Sequence, residues 1–213
     1  WSSIGLSATS YGIATLILNY NKSEIPMSES VSVELKKTAL LLMDFQNFVL
    51  DNFLPPDVAA KVVERAGTLL AAARAAKMTV IHVTVGFRPG YPEISERNKL
   101  FSFLKGSGLV TPGSDNVAIR AELTPQDDEP VVVKHRIGAF TSTDLDRILR
   151  AQGIETLIFA GVTTGGAVLS TLRQAFDLDY GMIVASDACA DNDIDIHAPL
   201  IEKVIPCLLY TSP

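Results

Sequence analysis

The stretch that most constrains the fold is LIFAGVTTGGAVLSTLRQAFDLDY, residues 157–180. An apolar run at 157–160 stops at Gly161, a Thr/Gly segment follows, and then apolar residues recur at helical spacing. This pattern predicts a strand, a tight turn and a helix. A turn of this kind leaves backbone N–H groups free at the start of the helix, where they favour an anion or an oxyanion. The alternative is that the glycines only permit the turn and close helix packing.

The rest of the chain predicts further strands that alternate with helices. Continuous apolar runs at 38–43, 78–85, 129–133, 155–160 and 181–186 predict strands, and the segments after the first, third and fourth contain helical patterns. Alternating strands and helices imply right-handed crossovers and a parallel sheet. We therefore expect an α/β fold, a three-layer α/β/α sandwich with a mostly parallel sheet. Residues 86–124 predict a long, irregular loop, which is often functional in a compact domain.

Length and composition favour one domain. The chain has 213 residues, of which 47% are hydrophobic and 20% charged, enough for one sizeable core. We expect the domain to span residues 31–206, with 1–30 as an extension outside the fold and 207–213 as an atypical tail. Met27 is a natural start for the domain, although an extra element or a targeting segment before it stays possible.

Charge and cysteine content narrow the partners and the compartment. The formal net charge of -6 disfavours nucleic acid or an anionic membrane surface as the main partner. Two cysteines, Cys189 and Cys207, are too few for a disulfide framework and are not spaced as metal ligands. We therefore expect a cytoplasmic protein whose main partner is neither nucleic acid nor a membrane.

Polar features follow three of the predicted strands. Asp44 ends the first strand, Lys134 ends the third, and the Thr/Gly turn ends the fourth. Ligands of parallel sheets bind outside the carboxyl ends of the strands. A single Asp or Lys there is often a solvated loop residue, but an acid, a base and an oxyanion turn together favour a site.

Four blocks of sequence resemble the isochorismatase-like hydrolases, the superfamily that includes nicotinamidases and other cysteine amidohydrolases. The blocks are ALLLMDFQN at 39–47, VVKHRIGAF at 132–140, AGVTTGGAVLST at 160–171 and ASDACAD at 185–191, the last followed by His197 and KVIP. The resemblance covers about residues 38–206, most of the chain. Their order and spacing identify the superfamily and leave the substrate open.

The resemblance implies roles for individual residues. In the cysteine members, the position of Ala167 holds the nucleophile, the residue matching Asp44 is the general base, and the residue matching Lys134 completes the triad. The family turn that matches residues 162 and 163 usually holds a cis peptide, which directs the N–H groups matching Thr163 and Ala167 into an oxyanion hole. Because alanine has no nucleophile, a covalent sulfur intermediate at residue 167 is impossible.

Three explanations of Ala167 remain open. Isochorismatases carry glycine there and cleave a vinyl ether without covalent catalysis, which would suit acid–base chemistry by Asp44. Alternatively, the alanine is an engineered replacement in a cysteine amidohydrolase, or the site binds a ligand without catalysis. We expect no other nucleophile, because no histidine stands beside Thr163, Thr164 or Ser170 in the sequence, and we expect Cys189 to be a buried apolar residue.

The remaining expectations concern metal binding, oligomeric state and the residues that bind the substrate. The segment after the first strand contains no histidine, unlike the metal cluster that nicotinamidases share, and the three histidines lie on separate elements, so no metal or cofactor is expected. Because the family commonly forms dimers or tetramers, we expect a homodimer or homotetramer. We expect Arg88 to bind a substrate carboxylate. The candidate substrate-binding residues are Gln46, Phe48, Arg88, Tyr91, Phe140 and Gly166.

Overall fold

The structure is a computed structural model that describes residues 4–8, 13–18 and 31–209. Its centre is a parallel sheet of five strands, which are β4 (Thr38–Met43), β5 (Thr79–Val85), β6 (Val131–Lys134), β7 (Thr156–Val162) and β8 (Gly181–Ala190). Their order across the sheet is β6-β5-β4-β7-β8. A separate antiparallel sheet contains β1 (Ile4–Ala8), β2 (Ile13–Leu18) and β3 (Val31–Glu34).

Helices cover both faces of the parallel sheet. They are α1 (Asn47–Phe53), α2 (Pro56–Ala75), α3 (Lys99–Ser107), α4 (Leu145–Ala151), α5 (Leu169–Asp177), α6 (Ile194–Pro199) and α7 (Ile205–Leu209). In β4, Leu40 and Leu42 face one core, which contains residues of α1, α2 and α3. Leu41 and Met43 face a second core, which contains residues of α4, α5 and α7. The predicted three-layer α/β/α sandwich is confirmed.

Two predicted segments differ in detail. The fifth predicted strand ends at 186, whereas β8 continues to Ala190 and shifts register against β7 between Phe159 and Gly161. The predicted loop at 86–124 contains α3 and two short 3₁₀ helices, Asp115–Val117 and Ala121–Leu123. The assignment of 1–30 and 207–213 to regions outside the domain stays a prediction, and Met27 lies outside the described residues.

Glu129, in the loop before β6, joins three parts of the fold. Its carboxylate accepts hydrogen bonds from Arg74 on α2 at 2.7 and 2.8 Å and from the Gln126 N–H at 2.9 Å. It also lies 3.0 Å from Nε2 of His82, a core residue of β5. Burial acts to raise the pKa of Glu129, but the bonds from Arg74, Gln126 and His82 together outweigh burial and lower the pKa to about 2.

We expect Glu129→Gln to destabilise the fold at neutral pH by roughly 3 kcal/mol, since one pKa unit corresponds to about 1.4 kcal/mol. A depressed carboxylate pKa stabilises the fold above the unfolded value of 4.5, and this contribution is lost as the pH falls toward about 2. Urea denaturation at several pH values measures the effect. The exposed Glu122→Gln is the control, and an equal acid dependence in both variants would contradict the assignment.

Candidate active site

Asp44 begins the candidate site at the carboxyl end of β4. Its N–H donates to Val83 O at 2.8 Å, which continues the hydrogen bonding between β4 and β5 for one further residue. Its φ is +57°, in the left-handed region that aspartate tolerates better than most residues. The chain therefore turns sharply at Asp44, and the residue is buried.

Lys134 reaches Asp44 from the end of β6, across the intervening strand β5. Its Nζ lies 2.8 Å from Asp44 Oδ2 and donates to Arg136 O at 3.2 Å. The lysine is only 1% exposed and the aspartate 5%, so the two charges form a buried ion pair. A buried charge of either sign would be costly alone, and each residue offsets the cost of the other.

The electrostatics of Asp44 combine two opposed effects. Burial raises the pKa of this carboxyl above its usual value of 3.8, while the charge and hydrogen bond of Lys134 act to lower it. Within the described ranges, Asp44 Oδ1 is buried and has no hydrogen-bond partner. Oδ1 is therefore free to bind a proton or a ligand group, while Oδ2 pairs with Lys134 Nζ.

The turn 162–167 follows β7 and lies beside Asp44. Met43 is aligned with Gly161, so Asp44 and the turn leave adjacent strands at the same point. A Cβ atom at Gly161 would come within 2.7 Å of Met43 Cβ, which shows how closely the two strands approach. The peptide bond between Val162 and Thr163 is cis.

Hydrogen bonds within the turn limit which of its N–H groups a ligand can use. Gly166 and Val168 both donate to Thr163 O, at 3.1 and 3.3 Å, and Gly165 donates to Asp191 Oδ2 at 2.7 Å. Among the described residues, the N–H groups of Thr163, Thr164 and Ala167 make no hydrogen bond outside the helical segment, which makes them the candidates for binding an oxyanion. Two of the three are those that the resemblance assigns.

Ala167 lies in the π-helical segment Thr164–Val168, which continues directly into α5. It is 5% exposed and packs in the core that also contains Val168 and Leu172. Its methyl group supplies no nucleophile. The same geometry places residue 167 at the start of a helix, where a cysteine thiolate would be stabilised.

Among the predicted substrate-binding residues, Gln46 and Phe48 have structural contacts. The Gln46 side chain donates to Val85 O and Val117 O at 2.9 and 2.7 Å and accepts from the Val85 N–H at 2.7 Å. It thus joins β5 to the loop that precedes β6. Phe48 is buried in the core and packs edge-to-face against Phe53, with ring centroids 6.5 Å apart.

Arg88 and Tyr91 lie in the loop after β5. The exposed Arg88 guanidinium pairs with Glu93, and Tyr91 packs on Phe87 with centroids 6.2 Å apart. Arg88 and Gln46 line an open depression of about 610 Å³. Asp44, Lys134 and Ala167 do not line this depression, so we do not identify it with the site.

Phe140 and Gly166 lie in different places. Phe140 stacks on Tyr180, with centroids 5.9 Å apart, and packs against the second core. Gly166 belongs to the turn itself, where a Cβ atom would come within 2.7 Å of Thr163 Oγ1. Of the six predicted substrate-binding residues, Gly166 therefore belongs to the turn of the site, and Gln46 lies close to Asp44 in the sequence.

No histidine is adjacent to the threonines of the turn in the sequence, but the expectation that none lies beside them is wrong in the folded structure. His197 Nδ1 lies 2.8 Å from Thr164 Oγ1, although the two residues are 33 positions apart. Sequence reasoning missed this contact because it considered only neighbours in the chain. His197 was nevertheless among the residues that carried the resemblance.

Cys189 is confirmed as a buried residue, 5% exposed. Burial raises the pKa of its thiol to about 12, so it stays protonated and is a poor nucleophile. Among the described residues, no three or more His, Cys, Asp or Glu side chains are grouped so that they could hold a metal ion. The absence of a metal or cofactor from the reaction stays a prediction. In the described ranges, no helix is both long and apolar enough to cross a membrane.

Comparisons with known proteins agree with this architecture. The isochorismatase domain model matches residues 38–212. A ureidoacrylate amidohydrolase of Klebsiella pneumoniae subsp. pneumoniae is 36% identical over 180 residues, which cover 75% of this chain and 76% of that protein.

Two solved structures are also similar. An isochorismatase family protein from Desulfovibrio vulgaris subsp. vulgaris has a TM-score of 0.71 and 31% identity, covering 80% of this chain and 90% of that chain. The N-carbamoylsarcosine amidase of Thermoplasma acidophilum has a TM-score of 0.64 and 27% identity, covering 78% and 92%. The chain therefore belongs to the isochorismatase family of hydrolases.

Proposed function

We propose that this hydrolase cleaves a small-molecule substrate by acid–base chemistry, without a covalent intermediate at residue 167. Asp44 transfers the proton, Lys134 is its charged partner, and the N–H groups of Thr163 and Ala167 bind developing negative charge. The observation that supports this most is the buried Asp44–Lys134 pair, 2.8 Å apart, whose Asp44 Oδ1 lacks a hydrogen-bond partner among the described residues.

The contacts of Asp44 suit proton transfer in either direction. Because burial raises its pKa, the carboxyl takes up a proton more readily than an exposed aspartate does. As an acid, Asp44 would protonate an unsaturated carbon of the substrate. As a base, it would take a proton from the attacking water. In both cases Lys134 stabilises the carboxylate, and the backbone donors stabilise an oxyanion.

The names of the relatives indicate which bond to test first. One similar protein is an amidohydrolase and another is an amidase, which favours the amide bond of a small molecule. The family name favours a vinyl ether, as does the lack of a nucleophile at residue 167, which Ala167 shares with the glycine that isochorismatases carry there. An ester completes the panel of substrates.

These amide-cleaving relatives, together with the resemblance to the cysteine members of the superfamily, favour a second candidate, a cysteine amidohydrolase in which alanine replaces the nucleophile. Residue 167 lies where a helix begins, which would lower the pKa of a cysteine. A third candidate is a protein that binds a ligand in this site without catalysis. Turnover by the chain as written, compared with turnover by Ala167→Cys, distinguishes these three candidate functions.

We expect the chain as written to turn over at least one member of an amide, vinyl-ether and ester panel, and Ala167→Cys to change that rate by less than about tenfold. The reason is that the acid–base route does not use residue 167 as a nucleophile. Ala175→Cys, a buried alanine in α5 with no place in the site, is the control. Activity in Ala167→Cys alone would identify a disarmed cysteine enzyme, and inactivity of every variant would favour the binding protein.

We propose a cytoplasmic enzyme that forms a homodimer or homotetramer. We propose that it acts on a small molecule without a metal or a cofactor, and that nucleic acid and membranes are not its partners.

A further inference from the structure

Two hydrogen bonds connect the segment after β8 to the turn 162–167. Asp191 Oδ2 accepts from the Gly165 N–H at 2.7 Å, and His197 Nδ1 lies 2.8 Å from Thr164 Oγ1. Thr164 is completely buried, so its hydroxyl cannot exchange this partner for bulk water. Both bonds join residues that are adjacent in the turn to residues that lie within one short segment, 191–197.

Packing brings this segment directly against the turn. A Cβ atom at Gly165 would lie 3.2 Å from Ile196 Cγ2, 3.3 Å from Asp191 Oδ2 and 3.3 Å from Leu200 Cδ1. Such distances are tighter than ordinary van der Waals contact, so α6 and the residues after it approach the backbone at Gly165 closely. The backbone at Gly165 therefore has little room to move toward this segment.

The segment itself is ordered by its own hydrogen bonds. Asp193 caps α6 by accepting from the Asp195 N–H at 2.8 Å, and the His197 N–H donates to Asp193 O at 2.9 Å. Burial lowers the pKa of His197, with the charge of Asp191 opposing it, so the ring is neutral and its Nδ1 can accept a hydrogen bond from the Thr164 hydroxyl. His197 is thus held on the helix that packs against the turn.

These contacts determine the direction of the remaining donors. Asp191 occupies the Gly165 N–H, and the bond to His197 fixes the Thr164 side chain. Thr163 and Ala167 lie one and two residues, respectively, from these anchored positions, so the anchors limit the movement of the peptide groups that carry their N–H groups. Preorganised donors stabilise a developing oxyanion because they need not reorient during the reaction.

We propose that Asp191 and His197 are positioning residues, which hold the oxyanion donors of the turn in place through Gly165 and Thr164. This inference rests on the proposed function, because it assigns the turn a role in the reaction. Neither residue needs to touch the substrate. Asp191 ends the last of the four family blocks and His197 follows that block, but no role for either residue follows from the sequence alone.

The test compares Thr164→Val, which removes the hydroxyl and keeps the shape, with His197→Ala, Asp191→Ala and the control Ile194→Ala. Ile194 lies on the same helix and is 67% exposed. Thr164→Ser and His197→Asn restore a hydroxyl and an acceptor, respectively. If Thr164→Val does not fold, the half-buried His197→Ala carries the test.

Two readouts are needed for each variant. Amide hydrogen exchange should be about tenfold faster or more at Gly166 and Val168, whose N–H groups donate to Thr163 O, with β4 unchanged within about twofold. With the substrate that the panel identifies, kcat should fall about tenfold or more while KM changes less than about threefold, because transition-state stabilisation is lost. The two conservative variants should recover most of both.

The outcomes separate this inference from the proposed function. Unchanged exchange in the turn, or equally faster exchange in the whole domain, would overturn the positioning role. Faster exchange confined to the turn with an unchanged kcat would also overturn it. If the chain as written turns over no substrate, the proposed function fails, and hydrogen exchange alone decides whether Asp191 and His197 hold the turn.

Discussion

Asp44→Asn is expected to lower kcat by about 10²- to 10⁴-fold, the usual contribution of a positioned general acid or base. Asparagine keeps the shape of the side chain and an oxygen that can accept from Lys134 Nζ, which lies 2.8 Å from Asp44 Oδ2. It cannot exchange a proton at the position of Oδ1. KM should change much less than kcat, because the substrate contacts proposed for the turn remain.

Steady-state kinetics with the active member of the substrate panel measures this effect. Asp51→Asn is the matched control, since it makes the same chemical change at an exposed aspartate that pairs with Arg120. Thermal denaturation of each variant shows whether lost activity reflects lost fold. An Asp44→Asn variant that is folded and retains kcat within about threefold would remove Asp44 from the mechanism.

Lys134→Met is expected to destabilise the protein by about 3–5 kcal/mol at neutral pH, because it leaves the buried Asp44 charge uncompensated. Methionine fills most of the space of the lysine stem, so the loss arises mainly from the charge. A loss of this size is a large part of the about 5–15 kcal/mol that a typical domain has. The effect should shrink at acid pH, where protonated Asp44 needs no partner.

Urea denaturation at about pH 7 and about pH 4 tests this expectation. The double variant Asp44→Asn with Lys134→Met should recover part of the stability, since both buried charges are then gone. Lys105→Met, in the exposed last turn of α3, is the control for lysine loss. A pH-independent loss in Lys134→Met would show that the methionine disturbs packing, and that the ion pair contributes little.

Sequence patterns predicted the parallel strands because the chain encodes them locally. The run Thr38–Met43 is buried throughout and reads as a strand covered on both faces. The turn after β7 was likewise encoded by consecutive threonines and glycines. Strand β8 was predicted too short, because Asp187 interrupts its apolar run although the strand continues beside β7 to Ala190.

Contacts within the site were harder to predict from the residues. Asp44 and Lys134 are far apart in the chain. Their positions at strand ends predicted a shared site, but only the resemblance implied that the two side chains pair, because the lysine must cross β5 to reach the aspartate. His197 contacts Thr164 because β8 lies beside β7 and the segment after β8 packs on the turn after β7. No local sequence pattern encodes this packing. Gln46 shows the opposite difficulty. Its position next to the site predicted a contact with substrate, but its side-chain amide is bonded to backbone groups of β5 and of a loop.

The most direct test of the account is the pH dependence of kcat/KM for the chain as written, between about pH 4 and about pH 9. We expect kcat/KM to change with pH through one group whose pKa lies above 3.8, the usual value for aspartate, because Asp44 is buried. Activity lost on acidification identifies Asp44 as a base, and activity lost on alkalinisation identifies it as an acid. A rate independent of pH, or activity that exists only in Ala167→Cys, would contradict acid–base hydrolysis by Asp44.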